Sequence, residues 1–104
     1  MVKLKSSAIP VCSIGHKDVT HDCQTPLRAK GSPNVIAGKR PWSRMGDINT
    51  THIFGPKCKS SHAMPIAQGS STVIVNGRGG GRIGDKVSAC TMVAQGWNNI
   101  RAGN

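Results

Sequence analysis

Residues 69–85 read GSSTVIVNGRGGGRIGD, and residues 31–47 read GSPNVIAGKRPWSRMGD. Both stretches open with Gly-Ser, become apolar at the fifth residue, and close on Arg, an apolar residue and Gly-Asp. An offset of 38 sets Gly31 on Gly69, Ser32 on Ser70, Val35 on Val73, Ile36 on Ile74, Arg44 on Arg82 and Asp47 on Asp85. One step further, His52 falls on Cys90. A third, truncated copy, QGWNNIRAGN at 95–104, echoes QGSSTVIVNG at 68–77. Three copies of one unit in so short a chain predict pseudo-threefold symmetry.

Each unit reads as a hairpin. STVIVNG is a short strand closed by Asn76-Gly77, a favoured two-residue turn, and RIGD leads into a loop. Within the strand, Val73 and Val75 face one way, and Thr72 and Ile74 the other. Gly46 and Gly84 supply positive φ at a tight turn, capped by the Asp that follows each. A catalytic role for these aspartates is not expected, because no second acid or base recurs beside them.

Composition agrees with this reading. The chain has 104 residues, enough for one small domain, taken here as 1–104. It holds nine Ile and eight Val against two Leu, no Glu, 13 Gly and 6 Pro. β-Branched residues are stiff at χ1 and suit a pleated surface, so an all-β fold with little or no helix is expected. A net charge of +10 with so few large apolar residues is a combination common in disordered chains. The fixed positions of the apolar residues within the repeats argue against disorder. The thin core still calls for a staple: a metal, disulfides or a partner chain.

The start, MVKLKSSAIPVCSIG, has a short apolar run broken by Pro10 and no small-residue cleavage site, so no cleaved signal is expected. No stretch approaches the ~20 apolar residues of a membrane span. Synthesis in a reducing cytoplasm favours metal-bound or buried cysteines over disulfides.

All four His and all four Cys lie in the loops between repeat blocks. The first loop holds Cys12, His16, His21 and Cys23, the second His52, Cys58 and His62, and the third Cys90. Imidazole and thiolate suit zinc or ferrous iron, and a structural site takes four such ligands in a tetrahedron. Repeats around an axis bring equivalent loops together, so one site drawing on several loops follows from the equivalence of His52 and Cys90. No Cys-x2-Cys knuckles are present, so the site is not a ribbon or finger.

Other chemistries fit less well. GGGRIG at 79–84 matches G-x-G-x-x-G formally, but Asp85 interrupts it, no helix pattern follows, and the acidic residue needed about twenty positions on is lacking. GRGGGR and fourteen Lys plus Arg make a basic footprint, and a zinc-stapled nucleic-acid-binding module is the alternative reading. Base-stacking aromatics are scarce, with no Tyr, one Phe and two Trp. The charge is better explained by solubility or an acidic partner. A cysteine-based redox enzyme is a third reading, though no oxyanion hole, substrate pocket or nucleophile–base pair can be placed.

The pattern Gly-Ser-x-x-Val, an Asn-Gly turn, Arg-x-Gly-Asp and a ligand residue five positions on resembles the PAAR-repeat family. It is carried by GSPNVIAGKRPWSRMGDINTTH and GSSTVIVNGRGGGRIGDKVSAC and covers the chain from about residue 8 to 104. The name-giving Pro-Ala-Ala-Arg is reduced to PWSR (41–44) and GGGR (79–82), and IAGK replaces one Asn-Gly turn.

The resemblance implies a small cone that caps the trimeric β-helical spike of a contractile injection machine, a phage tail or type VI secretion system. One copy would cap one trimer, pierce a target membrane, and reside on a virion baseplate or a secreted spike. It also implies a metal near the point, zinc or iron, held by three His and one Cys. Carried over, His52 and Cys90 follow the Gly-Asp turns, and His62 precedes Gly69 at the family's spacing. The fourth ligand comes from the first loop, where His21 is preferred to His16, with Cys23 and Cys58 as substitutes. With no toxic-domain extension, a phage is favoured over a secretion system.

Overall fold

A computed structural model of the chain describes residues 8–103; the charged start of MVKLKSSAIPVCSIG, residues 1–7, and the last residue of the 95–104 copy lie outside them. The expected hairpins form around 36–41 and 74–79, with the strand read in STVIVNG confined to Ile74–Val75, and no helix occurs among the described residues. The second loop of the sequence reading is corrected: it is itself a hairpin, and its strands carry His52 and His62. The strands are β1 Ile9–Pro10, β2 Ile36–Ala37, β3 Arg40–Pro41, β4 His52–Phe54, β5 Ser60–His62, β6 Ile74–Val75, β7 Arg78–Gly79 and β8 Arg101–Ala102. They pair antiparallel as β2–β3, β4–β5, β6–β7 and β1–β8.

The pairs β2–β3 and β6–β7 are equivalent, with Ile36 opposite Pro41 and Ile74 opposite Gly79. Asn76 and Gly77 have φ of 54° and 79°, the left-handed pair that a two-residue hairpin turn requires. The third hairpin has no turn. Its two strands are β8 and β1, so the segment 95–103 is completed by residues 9–16 from the other end of the chain. Three sectors therefore surround an axis, and the third is assembled from both termini.

Backbone hydrogen bonds run around that axis in closed cycles. The Cys12 N–H donates to Gly81 O (3.0 Å), the Gly81 N–H to Ser43 O (2.8 Å), and the Ser43 N–H to Cys12 O (3.0 Å). A second cycle joins Ile14 to Pro41, Met45 to Gly79 and Ile83 to Pro10. These bonds satisfy backbone groups that two-stranded sheets leave unpaired, and no sector can leave without breaking several at once.

Two small clusters complete the interior. Cys12, Ile66, Val87 and Val93 form one, with Met64 and Cys90 against it. Val11, Ala37 and Ala102 form the other, covered by Trp42, Val73, Trp97 and Ile100. Where one sector carries a large side chain, the next carries glycine. A Cβ on Gly80 would come within 2.6 Å of the Trp42 ring, and a Cβ on Gly38 would enter the Trp97 ring. Gly38 also has a φ of +70°. Gly38→Ala is expected to cost about 1–3 kcal/mol through overpacking and backbone strain, read from a urea unfolding midpoint.

The Gly-Asp turns form as expected. Gly46 and Gly84 have φ of 92° and 88°. Asp47 Oδ2 accepts from the Arg44 N–H and Nε–H, both at 2.8 Å, and Asp85 clasps Arg82 in the same way. The arginine of the repeated motif is thus the internal partner of its aspartate.

In the third sector, Ser13, Gly15 and His16 occupy the equivalent places. Gly15 has a φ of 92°, and His16 Nδ1 accepts the Ser13 N–H at 2.9 Å. Burial, and then the Arg40 guanidinium 3.2 Å from Nε2, holds the His16 imidazole below its ordinary range. The folded chain therefore takes up this proton later than the unfolded one. Stability is full above the ordinary value of 6.5 and falls as pH drops below it toward the folded value. A pH series of urea midpoints on His16→Asp, with the residue found in the other sectors, is expected to lack this loss.

Candidate metal centre

In each sector the chain runs from a hairpin, through the cyclic triad and the glycine turn, to one further residue. Those residues are His21, His52 and Cys90, each six positions past Gly15, Gly46 and Gly84. His62 joins them by a different route. It lies directly opposite His52 in the β4–β5 ladder, and side chains so paired share one face of the ribbon.

The four ligand atoms all lie within 4.8 Å of one another. His62 Nε2 is 3.0 Å from His52 Nε2 and 3.2 Å from His21 Nδ1, which is itself 3.1 Å from His52 Nε2. Cys90 Sγ is 3.1 Å from His21 Nδ1 and 3.3 Å from His52 Nε2. A tetrahedral ion bound at about 2.0–2.1 Å from nitrogen has N···N edges of about 3.4 Å, so this cluster could hold one such ion.

The surroundings prepare the donors. His52 Nδ1 donates to Thr50 O at 2.8 Å, which leaves the lone pair on Nε2 facing inward. Burial, then the neighbouring His52 and His21, lowers the pKa of His62. Burial raises the Cys90 thiol, opposed by the Asn49 amide. Three nitrogens and one sulfur converging within 4.8 Å make a donor set suited to a divalent ion. Phe54, two residues past His52 on the same strand, stacks on His62 at 4.0 Å between ring centroids and on His21 at 4.9 Å.

The remaining cysteines and histidine are elsewhere. His16 caps the Ser13 turn, and burial pushes the Cys12 thiol up to about 12, so it packs as a small apolar residue.

Cys23 and Cys58 correct the sequence reading: they are not thiols and not substitute ligands but a disulfide, with Cα atoms 6.0 Å apart. The reason is tertiary. Asp22 Oδ2 accepts the Gly55 N–H at 3.0 Å, and Gln24 Oε1 accepts the Ile53 N–H at 2.7 Å, which fastens the 21–24 loop along the β4–β5 hairpin. With a sequence separation of 35, nothing in the local sequence pairs the two cysteines.

Phe54, Thr50 and Asn49 were not singled out from the sequence. The signal for His21 was present, since Gly15-His16 and then His21 repeat the spacing of Gly46-Asp47 and His52. Among the described residues no ligand-sized cavity opens that a small substrate could enter.

Comparison with known proteins agrees with this architecture. No curated protein matches the chain. The family model described as the PAAR motif matches residues 17–95, from just after the first glycine turn to the start of the last strand segment. Members of that family are typically spike-tip proteins of contractile injection systems, and they are generally structural rather than catalytic. With most of its length matched and the cluster of three His and one Cys assembled, the chain belongs to the PAAR motif family.

Proposed function

We propose that this chain, as one domain over 1–104, caps and sharpens the trimeric β-helical spike of a contractile tail or secretion machine. One structural ion, zinc or ferrous iron, is held at its point by His21, His52, His62 and Cys90. The observation that carries the reading is the closed cycle through Cys12, Ser43 and Gly81, which gives a single chain the symmetry of a trimer.

The hairpins supply the docking surface. Ile36 and Ile74 hold equivalent places in β2 and β6 and are 55% and 56% exposed, although both are large and apolar. Each strand pairs with only one neighbour, so further strands from a spike can be added to the hairpins. The third equivalent place is Arg101, so one spike subunit meets a charge where two meet isoleucine.

The role asks for rigidity rather than catalysis. The ion ties together loops with little apolar mass, and its binding energy becomes folding energy. The chain then travels on the machine's tip, in a virion tail or on a secreted spike, and touches the target membrane briefly.

Elemental analysis of purified protein is expected to give one zinc or iron per chain, and sizing with a trimeric spike fragment one chain per trimer. Absence of both the ion and the complex overturns the reading. A salt-dependent mobility shift with DNA or RNA instead would favour the nucleic-acid module.

A further inference from the structure

Two residues past His16, Asp47 and Asp85 stand Asp18, Asn49 and Val87, all fully buried. Beside them stand Arg28, Ile66 and Val93, also fully buried, whose carbonyls accept the N–H groups of Gly15, Gly46 and Gly84. Symmetry makes these two sets of equivalent positions. Three of the six are apolar, and the other three hold an ion pair and an amide.

A buried ion pair is weak evidence of stabilisation, because apolar residues of similar volume often serve the fold as well or better. This pair is also incompletely satisfied: Asp18 Oδ1 and Arg28 Nε have no hydrogen-bond partner. Stability alone therefore does not account for Asp18 and Arg28 where valine and isoleucine serve in the neighbouring copies.

The contacts indicate a different purpose. Arg28 Nη2 donates to Asp18 Oδ2 at 2.8 Å, and Nη1 donates to Asp47 O at 3.1 Å. Asn49 Nδ2 donates to the same Asp18 oxygen at 3.0 Å. Asn49 Oδ1 accepts the Met64 N–H at 2.8 Å. With its oxygen committed to a donor and its nitrogen to a carboxylate, the amide has one orientation. The second N–H of that nitrogen then faces Cys90 Sγ, at 3.9 Å.

We propose that Asn49 is a positioning residue that presents an N–H to the Cys90 sulfur in its metal-bound, anionic form, and that the Arg28–Asp18 pair is kept in the core to fix that amide. This rests on the metal reading above. An N–H···S bond stabilises negative charge on the sulfur and sets its direction, and outer-shell partners of this kind strongly affect how well a site holds its ion. Val87, the third residue of the ring, has no polar group to offer.

The test uses the full chain loaded with Co(II), whose sulfur-to-metal absorption band reports the thiolate directly. The double variant Asp18→Val with Arg28→Ile installs residues found at the equivalent places. It is expected to fold with a metal-free urea midpoint equal to or above that of the parent. It should also release Co(II) to a chelator about 10–100-fold faster, with a shifted band. Asp18→Asn, which keeps an oxygen for the Asn49 amide, is expected to restore release to within about threefold of the parent. An unmoved band and unchanged release in the double variant overturn the proposal. Failure of that variant to fold also overturns it, by making the pair a requirement of the fold. Failure of the parent to take up one Co(II) per chain is a distinct result, which removes the metal reading itself.

Discussion

His52→Ala and Cys90→Ser are each expected to lower the thermal midpoint of the metal-loaded protein by about 15–30 °C. A structural zinc contributes about 10–16 kcal/mol in small domains, and a site cut to three ligands forfeits a good part of that. A loss of about 4 kcal/mol in a chain of this length gives a shift of that size. The loss falls on the loops, because the two apolar clusters of the fold do not reach β4 or β5. His16→Ala is the comparison. It removes the acceptor of the Ser13 N–H from a buried site, at a cost of about 1–3 kcal/mol. The variants also differ in kind: removing metal with a chelator should erase most of the deficit of His52→Ala and leave that of His16→Ala intact. Calorimetry with and without chelator separates the two. Equal deficits that ignore the chelator would contradict a metal at this cluster.

How much of this could be read from residues depends on whether a signal is local. The hairpins of the two repeat blocks, the Asn76-Gly77 turn and the positive φ at Gly46 and Gly84 are short-range requirements of backbone geometry and visible locally. The β4–β5 hairpin, which carries His52 and His62, has no such turn signal and reads as a loop. The equivalence of His52 and Cys90 is visible through the repeat.

The third sector was half seen. The truncated copy at 95–104 is visible as an echo of 68–77, but its partner at 9–16 lies at the other end of the chain and shares only Gly15 and the ligand spacing with the other copies. The repeat pairs Arg44 with Arg82, but that the Asp47 and Asp85 carboxylates curl back onto them is a fact of the folded turn with no sequence signal. Arg28 is the extreme case: a fully buried guanidinium at a place held by isoleucine and valine elsewhere, which no periodicity announces. The Cys23–Cys58 bond was missed for the same reason, since it depends on which loop lies against which hairpin.

That bond leads to the second large effect. The disulfide joins Cys23 to Cys58, while the cluster joins His21 to His62, so both crosslinks fasten the same loop to the same hairpin. Lys57 and Lys59 flank Cys58 on the exposed turn of that hairpin, where trypsin can cut once the loop and hairpin separate. Closing a loop of 35 residues is worth about 4 kcal/mol in the chain-entropy account. Local opening realises part of that, so a gain of about 3–4 kcal/mol corresponds to about a 100–1,000-fold change in the open population. In metal-free protein, reduction is therefore expected to speed cleavage after Lys57 or Lys59 by about 100-fold or more, where cleavage follows that population. In metal-loaded protein the reduced chain is expected to stay resistant, because opening must first release the ion from His62. Mass spectrometry of the fragments identifies the cut. Equal cleavage of reduced and oxidised metal-free protein would show that the hairpin is held without the disulfide, by its hydrogen bonds to Asp22 and Gln24 and the stacking of Phe54 on His21. Rapid cleavage of the reduced, metal-loaded chain would show that His62 is not bound to the ion. The resistant outcome in the loaded chain requires that one ion can do the work of the disulfide, which follows only if the His21 and His62 ligands are real.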